Sequence, residues 1–218
     1  MARQKDPPTL DTETARVRSI YERLAPRYNT MIKFWERLLF ADARQWACRQ
    51  ATGAVLEVAI GTGRNLPWYS RDVTLTGIDL SPTMLNAARL KAKTLDRAVA
   101  LQVADAQQLP FDSATFDTVV ATLTLCSIPD EALAVAEMAR VLRPGGQLIL
   151  VDHVASPAPA VRGVQRMLDP LSVHFQGDHL LREPHVAVRE AGLVIDEMTR
   201  SKWGIVTRLR AHKQGATA

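Results

Sequence analysis

The chain has 218 residues, 47% hydrophobic and 23% charged, the composition of one ordinary globular domain. That excludes a disordered chain, a collagen-like chain and a coiled-coil rod. The net charge of +4 comes from residues 1–53, with ten Lys/Arg against six Asp/Glu, while residues 54–218 carry seventeen of each; a weak bias at one end argues against nucleic-acid binding and for a mobile N-terminal segment or a surface that attracts anions.

Residues 1–14 are polar, hold Pro7 and Pro8, and are expected to be loosely attached. The first 30 residues show no apolar stretch of the signal-peptide kind, and no run of about 18 apolar residues follows, so no membrane span is expected. Val17, Ile20, Tyr21 and Leu24 predict a helix starting at Ala15, which Pro26 is expected to interrupt. A second helix is predicted over about 29–51, with Met31, Phe34, Trp35, Leu38 and Leu39 on one side. After Gly53, short apolar runs alternate with amphipathic stretches. Residues 54–60 predict a buried strand that ends in the turn Gly61-Thr62-Gly63, and residues 65–70 the start of a helix. Residues 73–78 predict a second strand ending in Asp79. Ser81 and Pro82 then supply an N-cap and a first-turn proline for a helix to about Leu95. Strands three, four and five are predicted at 99–103, 118–125 and 147–154, with a helix at 130–142 stopped by Arg143-Pro144-Gly145-Gly146. Two closing strands fall at 192–198 and 205–211. The alternation implies an α/β fold with a mostly parallel sheet covered on both faces. Residues 155–180 hold Pro157, Pro159 and Pro170 and show no clear period. An insertion there lies over the carboxyl edge of the sheet, where open α/β folds bind ligands, and reads as a wall of the acceptor pocket. Cys48 and Cys126 are too few for a disulfide framework and point to a reducing, cytoplasmic setting.

The segment Glu57-Val-Ala-Ile-Gly61-Thr-Gly63-Arg-Asn65 carries chemistry. Glycines at a strand-to-helix turn let a ligand approach the backbone. A dinucleotide site asks for glycine or alanine where Leu66 stands. A carboxylate at Glu57 does not suit a pyrophosphate; it suits a ligand with a cationic amino group and a positive sulfur. Asp79 follows Glu57 by 22 residues, the distance at which an acid accepts ribose hydroxyls. Asp105, after strand three, can accept from an exocyclic adenine amine, with the Ala106 backbone N–H beside it. Each feature alone reads as a tight turn or a cap; together they form one cofactor site.

The segments VLEVAIGTGRN, TGIDLSPTML, VADAQQLPFDSATFD and VLRPGGQLILVDH, spanning 55–153, resemble class I S-adenosylmethionine-dependent methyltransferases of the type 11 group, which includes quinone C-methyltransferases. The resemblance implies a Rossmann-like, doubly wound, seven-stranded sheet with its last strand antiparallel. It implies a helical lid at 1–52, a cofactor-binding domain at 53–218 and a substrate-pocket insertion at about 155–183. The implied cofactor is S-adenosylmethionine and the product S-adenosylhomocysteine. The implied cofactor residues are Tyr28, closing over the methionine end, with Glu57, Ala59, Gly61, Gly63, Asn65, Asp79, Leu80, Asp105, Ala106 and Thr122. Ala59 stands where many members carry the first glycine. No metal is expected, because no clustered Cys/His spacing is present.

For the acceptor, Thr122-Leu-Thr-Leu-Cys126-Ser-Ile-Pro-Asp130 faces the donor methyl in this family. With Asp152-His153-Val154 and the LDPL…GDHLLRE stretch at 168–183, it resembles proteins that methylate alkyl thiols. The opening YERLAPRY at 21–28 resembles bacterial phosphatidylethanolamine N-methyltransferases. The expected reaction is S-methylation of a small thiol; the alternative is N- or C-methylation of a lipid amine or a quinone. A thiol of pKa about 8.5 is only a few per cent thiolate at neutral pH, so a base helps. His153 ranks first, with Asp152 either orienting it or capping the loop, followed by His174, Asp178 and His179. Cys126 reads as a small pocket residue. Residues 33–40 read as a lid over a small-molecule substrate, or as a weak membrane-surface contact, since Lys33 and Arg37 flank Phe34 and Trp35.

Overall fold

The computed structural model describes residues 10–215. Helix α1 (Leu10–Trp35) runs unbroken through Pro26. The proline removes one backbone donor, and the buried Val17, Ile20 and Ala25 hold the helix to the body on both sides of the gap. Residues 10–14, expected to be loose, form its first turns; residues 1–9 lie outside the described residues. The predicted second helix is split. A π-helical turn (Glu36–Phe40) follows α1 directly, Ala41 reverses the chain at φ 40°, and α2 (Ala43–Arg49) comes after it.

Seven strands follow: β1 (Ala54–Val58), β2 (Thr74–Asp79), β3 (Ala100–Val103), β4 (Phe116–Thr122), β5 (Leu142–His153), β6 (Leu193–Ser201) and β7 (Val206–Lys213). Their order is β3-β2-β1-β4-β5-β7-β6, and only β7 runs antiparallel to its neighbours β5 and β6. The chain winds outward from β1 to β3 and then returns to β4. That reversal opens a crevice at the carboxyl ends of β1 and β4. Val58 registers with Ile78 of β2 and Ala121 of β4, which brings the three strand ends level.

Both faces of the sheet are covered. Leu56, Val58, Val119, Leu148 and Leu150 pack on one side with Met138 of α4 (Glu131–Val141). Val55, Leu75, Val120 and Ile149 pack on the other with Leu85 of α3 (Pro82–Thr94) and Ala47 of α2. Ser81 caps α3, its Oγ accepting from Met84 N at 3.2 Å, as the Ser-Pro pair predicted. The helix predicted at 65–70 is a single 3-10 turn (Leu66–Trp68).

Residues 155–180 are more ordered than their composition suggested. They contain the 18-residue helix α5 (Pro159–Gln176), followed by the short α6 (Pro184–Glu190). No residue of α5 is buried. Among the described residues, no helix is long and apolar enough to cross a membrane.

Candidate active site

The carboxyl ends of β1, β2, β3 and β4 surround a cleft with about 790 Å³ of empty space, part of it open to solvent. Of the residues expected to hold a cofactor, Tyr28, Ala59, Gly61, Asp79, Leu80, Asp105, Ala106 and Thr122 line it. The turn after β1 takes an unusual path, with φ of 52° at Ala59, 57° at Gly61 and 75° at Gly63. A Cβ on Gly61 would meet nothing nearer than 4.0 Å, so this glycine faces open space. A Cβ on Gly63 would lie 2.7 Å from Leu66 Cδ1 and 3.3 Å from Ala88 Cα. Gly63 therefore serves the packing of the turn on α3 and does not line the cleft.

Asp79 ends β2 with both oxygens anchored. Oδ2 accepts from Gly61 N at 2.9 Å and Oδ1 from Ser81 N at 2.8 Å. Each oxygen keeps a lone pair for a further donor. Burial outweighs the two N–H groups and raises Asp79 to about 6. Asp105 is set by Gln107, whose backbone N donates to Oδ1 at 2.8 Å.

Two expected cofactor residues lie below the cleft rather than on its wall. Glu57 is 2% exposed and shares its face of β1 with Val55; Tyr69, Arg44 and Asn65 surround it. Its Oε2 has no hydrogen-bond partner, and burial raises it to about 8. Burial thus favours the neutral form of Glu57 and weakens its pull on a cationic amino group. Asn65 is fully buried, donating to Thr122 Oγ1 at 2.9 Å and accepting from Arg44 Nη1 at 2.9 Å.

That arginine belongs to a network absent from the sequence expectations. Arg44 Nη2 pairs with Glu36 Oε1 at 2.5 Å, and Nη1 donates to Thr122 Oγ1 at 2.9 Å. Arg64 pairs with the other oxygen of Glu36. Arg64 also donates to Asn29 Oδ1, which accepts from Thr62 Oγ1 at 2.7 Å. Arg44 and Arg64 both line the cleft. Two guanidinium groups on one carboxylate leave one positive charge, a receptor for an anionic group. The only local sign was an acid, Glu36, set in the apolar run ERLLF.

Beside the cleft lies a second polar cluster, reached through Tyr21 of the cleft wall. Tyr21 Oη donates to Asp178 Oδ1 at 3.1 Å, and Cys126 Sγ lies 3.9 Å from the same oxygen. Side-chain atoms of Cys126, Asp152 and His153 lie within 4.8 Å of one another. His153 Nδ1 is buried without a partner. Asp152 does not orient that ring. Its Oδ2 accepts from the backbone N of Thr124, Leu125 and Cys126 at 3.1, 2.8 and 3.3 Å, and its Oδ1 from His153 N at 2.8 Å. It fixes the turn after β4, where Leu123 takes φ 56°. His174 is also misplaced for catalysis: it is exposed on α5 and packs against Phe175 at 4.8 Å. His179 is half-buried with its backbone N on Cys126 O at 2.8 Å, and burial lowers its ring pKa. Neither His153 nor His179 is on the cleft wall. Asp178, named with His174 and His179 after His153, is not on the wall either; it reaches the wall through its contact with Tyr21 Oη.

Burial dominates the titration of this cluster. Burial raises the Asp178 carboxyl, with His153 opposing the shift. Burial pushes the Cys126 thiol well up, and Asp152 and Asp178 add to it. Burial and then Asp178 do the same to Tyr21, while burial holds Tyr28 at about 12.

Residues 56–150 match the family described as Methyltransferase domain. The chain is 37% identical over 170 residues to a phosphatidylethanolamine N-methyltransferase of Cereibacter sphaeroides, covering 74% of this chain and 81% of that one. It is 31% identical over 171 residues to a thiol S-methyltransferase of Homo sapiens, covering 75% and 69%. The fold matches the solved structure of a SAM-dependent methyltransferase of Thermotoga maritima with TM-score 0.69, at 21% identity, over 90% of this chain and 99% of that one. With the seven-stranded order, the level strand ends and the cleft between them, these relatives make the chain a member of the class I S-adenosylmethionine-dependent methyltransferases.

Proposed function

We propose that the protein transfers a methyl group to an amine nitrogen, the primary amine of a lipid headgroup of the phosphatidylethanolamine type. The residues present fit the cofactor: Gly61 leaves open space, Asp79 has oxygens to spare, and the Arg44–Arg64 pair carries a surplus positive charge. In this reading Asp79 accepts the ribose hydroxyls, and Asp105 and Ala106 face the adenine. Arg44 and Arg64 hold the amino-acid carboxylate, and Tyr28 closes over that end. Residues 1–52 act as the lid, since α1 lays Val17, Tyr21 and Tyr28 against the cleft. Residues 155–183 act as the acceptor wall and bring Asp178 to it. S-Adenosylmethionine, once bound, supplies a methyl group on a positive sulfur to an acceptor lone pair. The lid and the tight turn exclude water from that contact.

Asp178 carries the choice of acceptor. An amine becomes cationic as it takes the methyl group, and a carboxylate beside it both favours that charge and receives the proton. A thiol must instead become an anion. A negative charge about 4 Å from a carboxylate costs about 4 kcal/mol at an effective dielectric constant of about 20. Asp152 and Asp178, which add to the burial that raises Cys126, would also oppose a thiolate brought beside them. A second reading, S-methylation, draws on one observation: the free Nδ1 of His153 can take a proton. The two cysteines are free and buried, which supports the cytoplasmic setting expected from the sequence.

The test is a competition assay read by mass spectrometry. Phosphatidylethanolamine vesicles, alkyl thiols and quinols are offered together with S-adenosylmethionine. Methylated amine is the expected product. Methyl thioether with the amine untouched overturns the reading and restores the thiol; a methylated quinol overturns both.

A further inference from the structure

Helix α5 is built inside out. Its polar stripe Arg162, Gln165 and Asp169, at i, i+3 and i+7, faces the body. Arg162 donates to Ser156 O at 2.8 Å and pairs with Glu183 at 2.7 Å. Gln165 donates to Val154 O at 2.9 Å and Leu180 O at 3.0 Å, and accepts from Ser156 N at 2.8 Å. Asp169 accepts from Leu180 N at 2.6 Å. The opposite face carries Val164, Met167, Leu168, Leu171 and Phe175, at i, i+3, i+4, i+7 and i+11, all exposed, with Met167 at 70% and Phe175 at 66%. A surface helix of a water-facing domain puts these faces the other way round. Among the described residues, no segment covers the stripe. Trp203, 76% exposed, stands at the start of the helix, where Ser156 Oγ donates to its carbonyl at 2.6 Å.

We propose that α5 docks the enzyme on an anionic lipid surface, with its apolar stripe seated in the boundary between headgroups and acyl chains. An exposed aromatic and aliphatic stripe on a helix that also exposes Arg166 is the composition of an interfacial helix. The charges agree. The only acid of α5, Asp169, is held by Leu180 N, whereas Arg166 on the helix and Lys202 beside Trp203 remain to meet lipid phosphates. The helix also leads to the site, since it ends at Gly177 and the next residue, Asp178, touches Tyr21 of the cleft wall. The sequence placed such a contact in the N-terminal helices, where Met31, Phe34, Trp35 and Leu38 are exposed as well; α5 is the better-formed anchor because its polar face is pinned to the body.

The proposal deepens the lipid-amine reading, and its test is kept separate by using vesicles that hold no primary amine. The full chain is sedimented with vesicles of phosphatidylcholine alone and with added phosphatidylglycerol. Binding is expected with the anionic vesicles and should weaken as salt rises. Met167→Glu and Leu171→Glu should each weaken it about tenfold or more, with cofactor affinity and thermal midpoint unchanged. Failure of the unaltered chain to bind anionic vesicles overturns the proposal, as does equal binding by both variants. A dimer that Leu171→Glu dissociates, with no vesicle binding, assigns the face to a second copy and also overturns it. A positive vesicle result with no methylated amine in the competition assay leaves the docking face standing and removes only the acceptor.

Discussion

The cleft at the ends of β1 to β3 and the cluster behind Tyr21 adjoin each other yet are assembled by different means. The cleft is largely backbone: a turn through left-handed φ values, with N–H groups of Gly61 and Ser81 clamping one carboxylate. The cluster is side chains from α1, the turn after β4, the end of β5 and the turn after α5. A backbone site needs its residues at fixed short spacings and so leaves a motif. A side-chain site needs only that the fold bring distant residues together. The first kind can stay the same while acceptors change, and the second can change without disturbing the cofactor.

The largest expected effect lies where the two regions share a support. Arg44→Ala leaves the buried Glu36 with Arg64 alone and releases Asn65 and Thr122. Stability should fall by about 2–3 kcal/mol, the loss of charged hydrogen bonds with Arg64 still on Glu36, read by urea denaturation. A loss below about 1 kcal/mol would mean that the network is loose. Glu57→Gln tests the floor of the cleft. With Glu57 at about 8, the folded state holds a proton that the unfolded state has lost, so stability should fall as pH rises from about 4.5 to 8. The variant should remove that slope and be more stable than the unaltered chain above pH 8 by a few kcal/mol, at about 1.4 kcal/mol per unit.

Asp79→Ala should weaken cofactor binding tenfold to a hundredfold, equivalent to about 1.5–3 kcal/mol, measured by calorimetry. In the unaltered chain Asp79 is protonated below about 6, so affinity for the cofactor should fall by up to about tenfold per unit as pH drops below that value. A flat affinity from pH 5 to 8 would remove Asp79 from the ribose. The smallest effect is at Ala59, whose φ of 52° glycine would hold without strain. Ala59→Gly should gain under about 1 kcal/mol, because relief of strain is partly offset by chain entropy. A loss of stability would show that Ala59 is not strained.

How much was legible follows from the same contrast. Asp79, Asp105 and the Ser81 cap were readable because each ends or starts an element at a fixed place. The place of Glu57 below the cleft had its signal in the sequence: alternation along β1 puts it with Val55, facing away from Leu56 and Val58. Arg44, Glu36 and Arg64 lie on separate elements, and nothing in their spacing joins them. Pro26 was read as a break because local propensity cannot weigh the buried contacts on either side. Helix α5 was legible, since Val164, Met167, Leu168, Leu171 and Phe175 recur at helical spacing; Pro157, Pro159 and Pro170 drew the reading toward irregular chain instead. Asp178 was placed after His153, since proximity to Tyr21 across 157 positions of sequence is a property of the fold alone.

The division between the two regions is tested most directly by one variant measured twice. Asp178→Asn keeps the shape of the side chain and removes its charge. Its cofactor dissociation constant should match that of the unaltered chain, while its turnover on the amine acceptor should fall by about a hundredfold or more. A variant that loses cofactor affinity as far as it loses turnover would contradict the separation of the two sites.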